Sequence, residues 1–213
     1  MLNKTLNFGL ILSNTERSID YLIFLKKIKL KPSVIIVYSK EKIRSKFKKL
    51  LIGNNYLIFL TNDINNKKVV DRILKLSQRY LIYSGYPSQI IKNKALLEKK
   101  ILLHSHPGKI PYFKGSTTIF YSILKNKSIW CSTFRMSHKI DSGRLYYLKK
   151  YKLSKKIFIN YNKSDNLIRI KNLTKVLKDS FRKRKIINKK KYEEYYYVAH
   201  PIIRCLAKLN VKK

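Results

Sequence analysis

Residues 33–38 read SVIIVY, four consecutive β-branched side chains at Val34, Ile35, Ile36 and Val37 with no polar alternation. A strand with one wet face alternates apolar and polar residues, so an unbroken apolar run predicts a strand covered on both faces. The flanking sequence agrees. Upstream, the apolar run Asn7–Leu12 ends in Ser13, Asn14 and Thr15, after which Ile19, Leu22, Ile23 and Leu25 fall at helical spacing. Downstream, Glu41–Leu51 places Ile43, Phe47 and Leu50 on one face of a lysine-rich helix. The unit then repeats, with Tyr56–Leu60 as strand, Lys67–Gln78 as helix and Tyr80–Tyr83 as strand.

Buried strands alternating with helices of ~10–15 residues mark a parallel sheet with crossover helices. The expected fold is therefore α/β, an open and mostly parallel Rossmann-like sheet flanked by helices, without the glycine-rich dinucleotide fingerprint. A further strand at Lys100–Leu103 leads into HSHPGKIP at 104–111. A helix starting near Ser116 runs through Ile119, Phe120, Ile123 and Leu124, with Ser116 or Thr117 as its cap. Ile129–Phe134 and Leu145–Leu153 read as strands around a loop holding Asp141. The tail reads as a helix near Asp165–Phe181, a solvated, mobile connection over Arg182–Lys191, and an aromatic segment, Tyr195–Leu206. A chain of 213 residues suits one domain. Residues 1–181 are assigned to the α/β domain, and 182–213 to the basic connection and an aromatic segment packing on it.

The net charge of +38 invites a nucleic-acid or anionic-membrane partner. Lysines are scattered from end to end, however, and Lys, Ile, Asn and Tyr are all residues with AT-rich codons, so base composition accounts for much of the excess. Non-specific attraction to nucleic acid follows from the charge alone. No apolar stretch approaches the ~18–20 residues of a membrane span, and the start has no small-residue cleavage site. A cytoplasmic protein is expected. Cys131 and Cys205 are too few for a disulfide framework and lack zinc-site pairing, so both read as reduced packing residues.

Only eleven acidic residues occur, and between Glu98 and Asp165 the single one is Asp141. It sits near Arg135, Lys139 and Arg144, as an ordinary charge-balancing residue would, but its loop IDSG carries Gly143, which permits a backbone shape that bulky residues resist. His104 and His106 fall at the end of a predicted buried strand, where residues two apart share a face. Ligands of open parallel sheets bind beyond the carboxyl ends of the strands. A His-x-His pair is also compatible with zinc in a hydrolase, although such sites usually sit on barrels of ~250 residues and acidic ligands are scarce here.

The segment HSHPGKIPYFKGSTTIFYSIL followed by KIDSG resembles the core of the folate-dependent formyltransferases. Their pattern is Asn, any residue, His, Pro, then Leu-Pro with a nearby Gly, and later an Asp-x-Gly loop. By that pattern His106 matches the catalytic histidine, Pro111 the Leu-Pro proline, Gly115 the following glycine and Asp141 the catalytic aspartate, 35 residues after His106. His104 replaces the family asparagine, which supports the developing oxyanion. A histidine can also donate there. The resemblance implies 10-formyltetrahydrofolate as co-substrate, no metal, and transfer to a primary amine, with His106 as acid/base, Asp141 as its orienter and His104 in the oxyanion site. Ser84, Gly85, Tyr86 and Pro87 resemble the family's pterin loop and equally fit a plain strand-to-helix turn. Ser13, Asn14 and Thr15 lie at a helix start that suits a substrate phosphate and is also what any N-cap looks like. With Gly115 and Ser116 they form the expected substrate set.

Within the family, methionyl-tRNA enzymes carry a C-terminal barrel domain for which a chain ending at Lys213 has no room. Glycinamide ribonucleotide enzymes usually have a glycine-rich phosphate turn, unlike LSNTERS. The expected acceptor is a nucleotide-linked amino sugar, as in polysaccharide biosynthesis, with a homodimer as the assembly. The alternatives are a glycinamide ribonucleotide formyltransferase-like enzyme, a non-catalytic formyltransferase-like binding protein, or a basic RNA-binding module.

Overall fold

All side chains of β1 (Phe8–Ser13) and β2 (Val34–Tyr38) are buried, so both strands have the two covered faces that SVIIVY implies. The structure, a computed structural model, describes residues 7–154, 158, 160–179 and 193–211. The expected connection at Arg182–Lys191 lies outside the described residues. The chain divides into two compact units, Met1–His104 and Ser105–Lys213.

The first unit alternates strand and helix: β1, α1 (Glu16–Lys27), β2, α2 (Ser45–Leu51), β3 (Tyr56–Phe59), α3 (Lys67–Leu74), β4 (Tyr80–Ser84) and α4 (Lys94–Lys99), then most of β5 (Ile101–His106). β1 pairs in parallel with β2 and β4, β2 with β3, and β4 with β5. The sheet order is β3-β2-β1-β4-β5-β7-β8, seven strands, with β7 (Ile129–Arg135) and β8 (Leu145–Tyr151) antiparallel to each other. This is the expected open, mostly parallel α/β sheet.

The second unit adds the two-residue strands β6 (Lys114–Gly115) and β9 (Tyr195–Tyr196), paired in parallel, and the helices α5 (Thr118–Asn126), α6 (Tyr161–Lys178) and α7 (Pro201–Asn210). Its apolar centre joins Ile119, Phe120 and Ile123 of α5 to Ile129 and Cys131 of β7, Ile168 of α6, and Ala199 and Ala207.

Several boundaries differ from expectation for visible reasons. α2 starts at Ser45, because residues 41–44 are held off the helix. The Ser39 hydroxyl donates to the Glu41 carbonyl at 2.8 Å, Asn14 Nδ2 to the Lys42 carbonyl at 3.3 Å, and the Arg44 guanidinium to the Asn14 carbonyl at 3.2 Å. α3 stops at Leu74, and the Leu76 and Gln78 carbonyls beyond it accept from Lys100 Nζ. β5 runs on past Leu103 through His106. Neither expected hydroxyl caps α5: Thr117 is left-handed at φ 50 and makes no side-chain cap bond, because its Oγ1 accepts the Ala199 N–H at 2.7 Å. α6 begins at Tyr161, capped by Asn160, which accepts from Lys163 N at 3.1 Å. Both cysteines are free, but only Cys131 is buried. Cys205 is exposed because the buried position of α7 is Ala207, so Cys205 is not a packing residue.

Candidate active site

β5 delivers His106 to its carboxyl end, where the side chain is 3% exposed. Its Nε2 is 2.8 Å from the Phe113 carbonyl and 3.1 Å from Thr118 Oγ1. A carbonyl only accepts, and the Thr118 hydroxyl donates to the Pro107 carbonyl at 2.8 Å, so both bonds require hydrogen on Nε2. Nδ1 then faces Asp141 Oδ2 at 3.3 Å. In the neutral ring two acceptors meet there; a proton on Nδ1 converts the pair into a charge-assisted hydrogen bond. Burial holds the His106 pKa below the ordinary imidazole value. The Asp141 carboxylate works against that shift, Arg169 adds to it, and the Phe113 carbonyl and Asp165 oppose it. The ring is thus a neutral base with one nitrogen fixed and the other turned toward a carboxylate.

Asp141 lies in the connection between β7 and β8, and its own backbone is left-handed at φ 43, a region that Asp tolerates better than most residues. Its Oδ2 also accepts the Gly115 N–H at 2.8 Å. Two residues on, Gly143 has φ 123, and a Cβ there would lie 1.9 Å from the Arg135 carbonyl oxygen. The glycine of the IDSG loop is therefore required by both conformation and space.

The two residues expected to react together are in contact, and Gly115 bonds directly to one of them. Ser116 is exposed, with its N–H donating to the Tyr196 carbonyl at 2.8 Å. His104 lies in the first unit, half-buried, with Nδ1 3.2 Å from the Tyr83 carbonyl. With Nδ1 donating there, a neutral His104 presents an acceptor at Nε2 and donates from that nitrogen only as imidazolium.

The remaining expected residues are also in the first unit. Ser84 ends β4, and its carbonyl accepts from the Ser13 and Ser18 hydroxyls, each at 3.2 Å. The Gly85 carbonyl accepts from Arg17. The Tyr86 hydroxyl donates to Ser39 Oγ at 3.3 Å, and Pro87 is exposed. Thr15 caps α1 by accepting Ser18 N at 3.4 Å. Asn14 is 7% exposed, and its Oδ1 has no hydrogen-bond partner. Glu16, paired with Arg44, occupies the first turn of α1, so an anion there meets a carboxylate beside the helix N-terminus.

Sequence reasoning missed the supporting shell. Thr118 and the Phe113 carbonyl fix the His106 tautomer. Arg169 pairs with Asp165 at 2.9 Å and donates to the Ser105 carbonyl at 2.8 Å. The i,i+4 spacing of Asp165 and Arg169 was a readable signal; the contacts through Phe113 and Thr118 are tertiary and left none. Among the described residues, no group of three or more His, Cys, Asp or Glu side chains could hold a metal, and no helix is long and apolar enough to cross a membrane.

No family model matches the chain. A methionyl-tRNA formyltransferase from Finegoldia magna is 26% identical over 133 residues, 59% of this chain and 43% of that enzyme. The chain thus spans less than half the length of the curated relative it matches. Phosphoribosylglycinamide formyltransferase from Bacillus halodurans superposes with a TM-score of 0.61 at 13% identity, covering 86% of this chain and 100% of that one. The sugar 3N-formyltransferase WlaRD, solved in the presence of dTDP and 5-N-formyl-THF, gives 0.59 at 17% identity, covering 97% and 79%. The solved structures share this chain's fold, and the methionyl-tRNA formyltransferase is similar to it in sequence over the matched 133 residues.

Proposed function

We propose that the chain transfers a formyl group from 10-formyltetrahydrofolate to a primary amine, with a nucleotide-linked amino sugar as the acceptor. The observation that carries this reading is the His106–Asp141 contact at 3.3 Å, with the buried His106 ring hydrogen-bonded at Nε2. As the amine attacks the formyl carbon, its nitrogen must lose a proton and the departing folate nitrogen must gain one. A neutral imidazole kept basic at Nδ1 can take that proton, and the Asp141 carboxylate stabilises the imidazolium that forms. Returning the proton to the leaving nitrogen closes the cycle with no metal. Two residues earlier on β5, His104 stands where the family pattern has asparagine and is assigned to the oxyanion.

The family pattern assigns the donor to Ser84, Gly85, Tyr86 and Pro87, and the helix start at Ser13, Asn14 and Thr15 is assigned, with Gly115 and Ser116, to the acceptor. Support for the donor and for a nucleotide sugar comes from the likeness to the sugar 3N-formyltransferase solved with dTDP and a formylated folate. The unpartnered Asn14 Oδ1 is an acceptor suited to a hydroxyl or amine. A second reading, formylation of an aminoacyl-tRNA, is favoured by the sequence match to the methionyl-tRNA enzyme and by the charge of +38. The test supplies 10-formyltetrahydrofolate with amino-sugar nucleotides, glycinamide ribonucleotide and methionyl-tRNA in separate reactions and follows tetrahydrofolate release. Release with an amino-sugar nucleotide alone supports the first reading. Release only with methionyl-tRNA replaces it with the second, and release with none refutes both.

A further inference from the structure

Lys114 is 2% exposed, a burial that lysine almost never reaches unpaired. Its Nζ lies 3.0 Å from Glu193 Oε2, donates to Ser142 Oγ at 3.0 Å and stands 5.3 Å from the centre of the Tyr195 ring. Glu193 and Tyr195 belong to the C-terminal segment, while Ser142 belongs to the loop that carries Asp141. The Ser142 hydroxyl passes the connection on, donating to the Ile140 carbonyl at 3.1 Å. One ammonium group therefore reaches, through one hydroxyl, the residues on both sides of Asp141. Backbone bonds run in parallel with this chain of contacts. Lys114 N donates to the Glu194 carbonyl at 3.0 Å, and Gly115, the next residue, donates to Asp141 itself.

Packing alone does not account for a cation at this position. An apolar side chain of similar length would fill the space without the desolvation cost of a buried ion pair, and replacing such pairs by apolar residues is often neutral or stabilising. What an apolar residue cannot supply is a donor to Ser142. We propose that Lys114, clamped by Glu193 of the C-terminal segment, is a positioning residue that holds the Asp141 loop so that its carboxylate stays against His106. The catalytic consequence rests on the formyl-transfer reading; the positioning does not.

At His106, which faces Asp141, Arg169 and Asp165, release of the Asp141 carboxylate lowers the proton affinity of the ring, so misplacing the loop shifts it in the same direction as Asp141→Asn.

The experiment uses the full chain with Ser142→Ala, Ser142→Thr and Lys114→Met, and Asp141→Asn as reference. The amide proton of Gly115, one of six glycines and readily selected by glycine labelling, reports where the Asp141 carboxylate lies. In Ser142→Ala and Lys114→Met this resonance is expected to move toward its position in Asp141→Asn. In Ser142→Thr, which keeps the hydroxyl, it is expected to stay near wild type. In the transfer assay kcat should fall about tenfold in Ser142→Ala while KM changes less than about twofold, the split expected when a group acting in the transition state is misplaced. A Gly115 resonance that moves in Asp141→Asn but stays at the wild-type position in Ser142→Ala overturns the proposal. Should Lys114→Met fail to fold, Ser142→Ala decides. A wild type that transfers no formyl group refutes the transfer reading and leaves the resonance test of positioning intact.

Discussion

Replacing Gly143 by alanine imposes two separable costs on the loop that presents Asp141. The first is conformational: φ is 123, outside the regions open to a residue with a Cβ, at a cost of about 1–3 kcal/mol. The second is steric. The new Cβ would lie 1.9 Å from the Arg135 carbonyl oxygen and 3.1 Å from its carbon, and these atoms cannot swing aside as the tip of a side chain could. Moving them disturbs the neighbouring Arg135 N–H to Arg144 carbonyl bond of 2.9 Å, which closes the β7–β8 ladder, adding about 1 kcal/mol. The sum is roughly 2–4 kcal/mol. Gly53 supplies the control. Its φ of 82 is also left-handed, but nothing lies within 4 Å of a Cβ built there, so Gly53→Ala bears only a backbone cost of about 1–2 kcal/mol. Urea unfolding of the two variants beside wild type measures both. Gly143→Ala no less stable than Gly53→Ala would refute the steric half of the reasoning, and a loss below about 1 kcal/mol would refute all of it.

Burial lowers the His106 pKa relative to the unfolded chain, so the unfolded state binds the proton first as pH falls. Stability should therefore decline below the unfolded value near pH 6.5; urea midpoints for wild type and His106→Gln between about pH 7.5 and 5.5 should show the steeper loss in wild type, and equal slopes would contradict it. Thr118→Val should cost about 1–3 kcal/mol, because it leaves the buried Pro107 carbonyl without its donor. It should also alter the His106 ring-nitrogen resonances, since one of the two acceptors of Nε2 is lost; a melt and ring spectrum matching wild type would count against the assigned tautomer.

The sheet was legible where burial is two-sided. β1, β2 and β4 are continuous apolar runs, and the structure returns them within a residue of the expected ends. What escaped lies in tertiary contacts and short elements. β6 and β9 are two residues each and pair across about 80 positions of sequence, so neither has a periodicity to read. α4 was missed because six residues give less than two turns, although Asn93 caps it by accepting Leu96 N at 2.8 Å. α7 had an available signal in Pro201 at its first turn behind the His200 cap, hidden by the aromatic run before it. In the site, the order Ile140–Asp141–Ser142–Gly143 pointed to a strained loop, and His106 was placed by its strand. The partners that fix both, the Phe113 carbonyl and Lys114, come from a segment whose side chains read as ordinary loop residues.

On the formyl-transfer reading, His106 moves the proton and Asp141 makes this possible. Single-turnover release of tetrahydrofolate, with the best acceptor from the panel, tests it most directly in His106→Ala and Asp141→Asn, with folding checked by circular dichroism. A positioned proton-transfer group contributes ~100- to 10,000-fold, so the His106 variant should lose at least about a hundredfold in rate while remaining folded, and Asp141→Asn should fall with it. A folded His106→Ala protein that releases tetrahydrofolate at the wild-type rate would contradict the account.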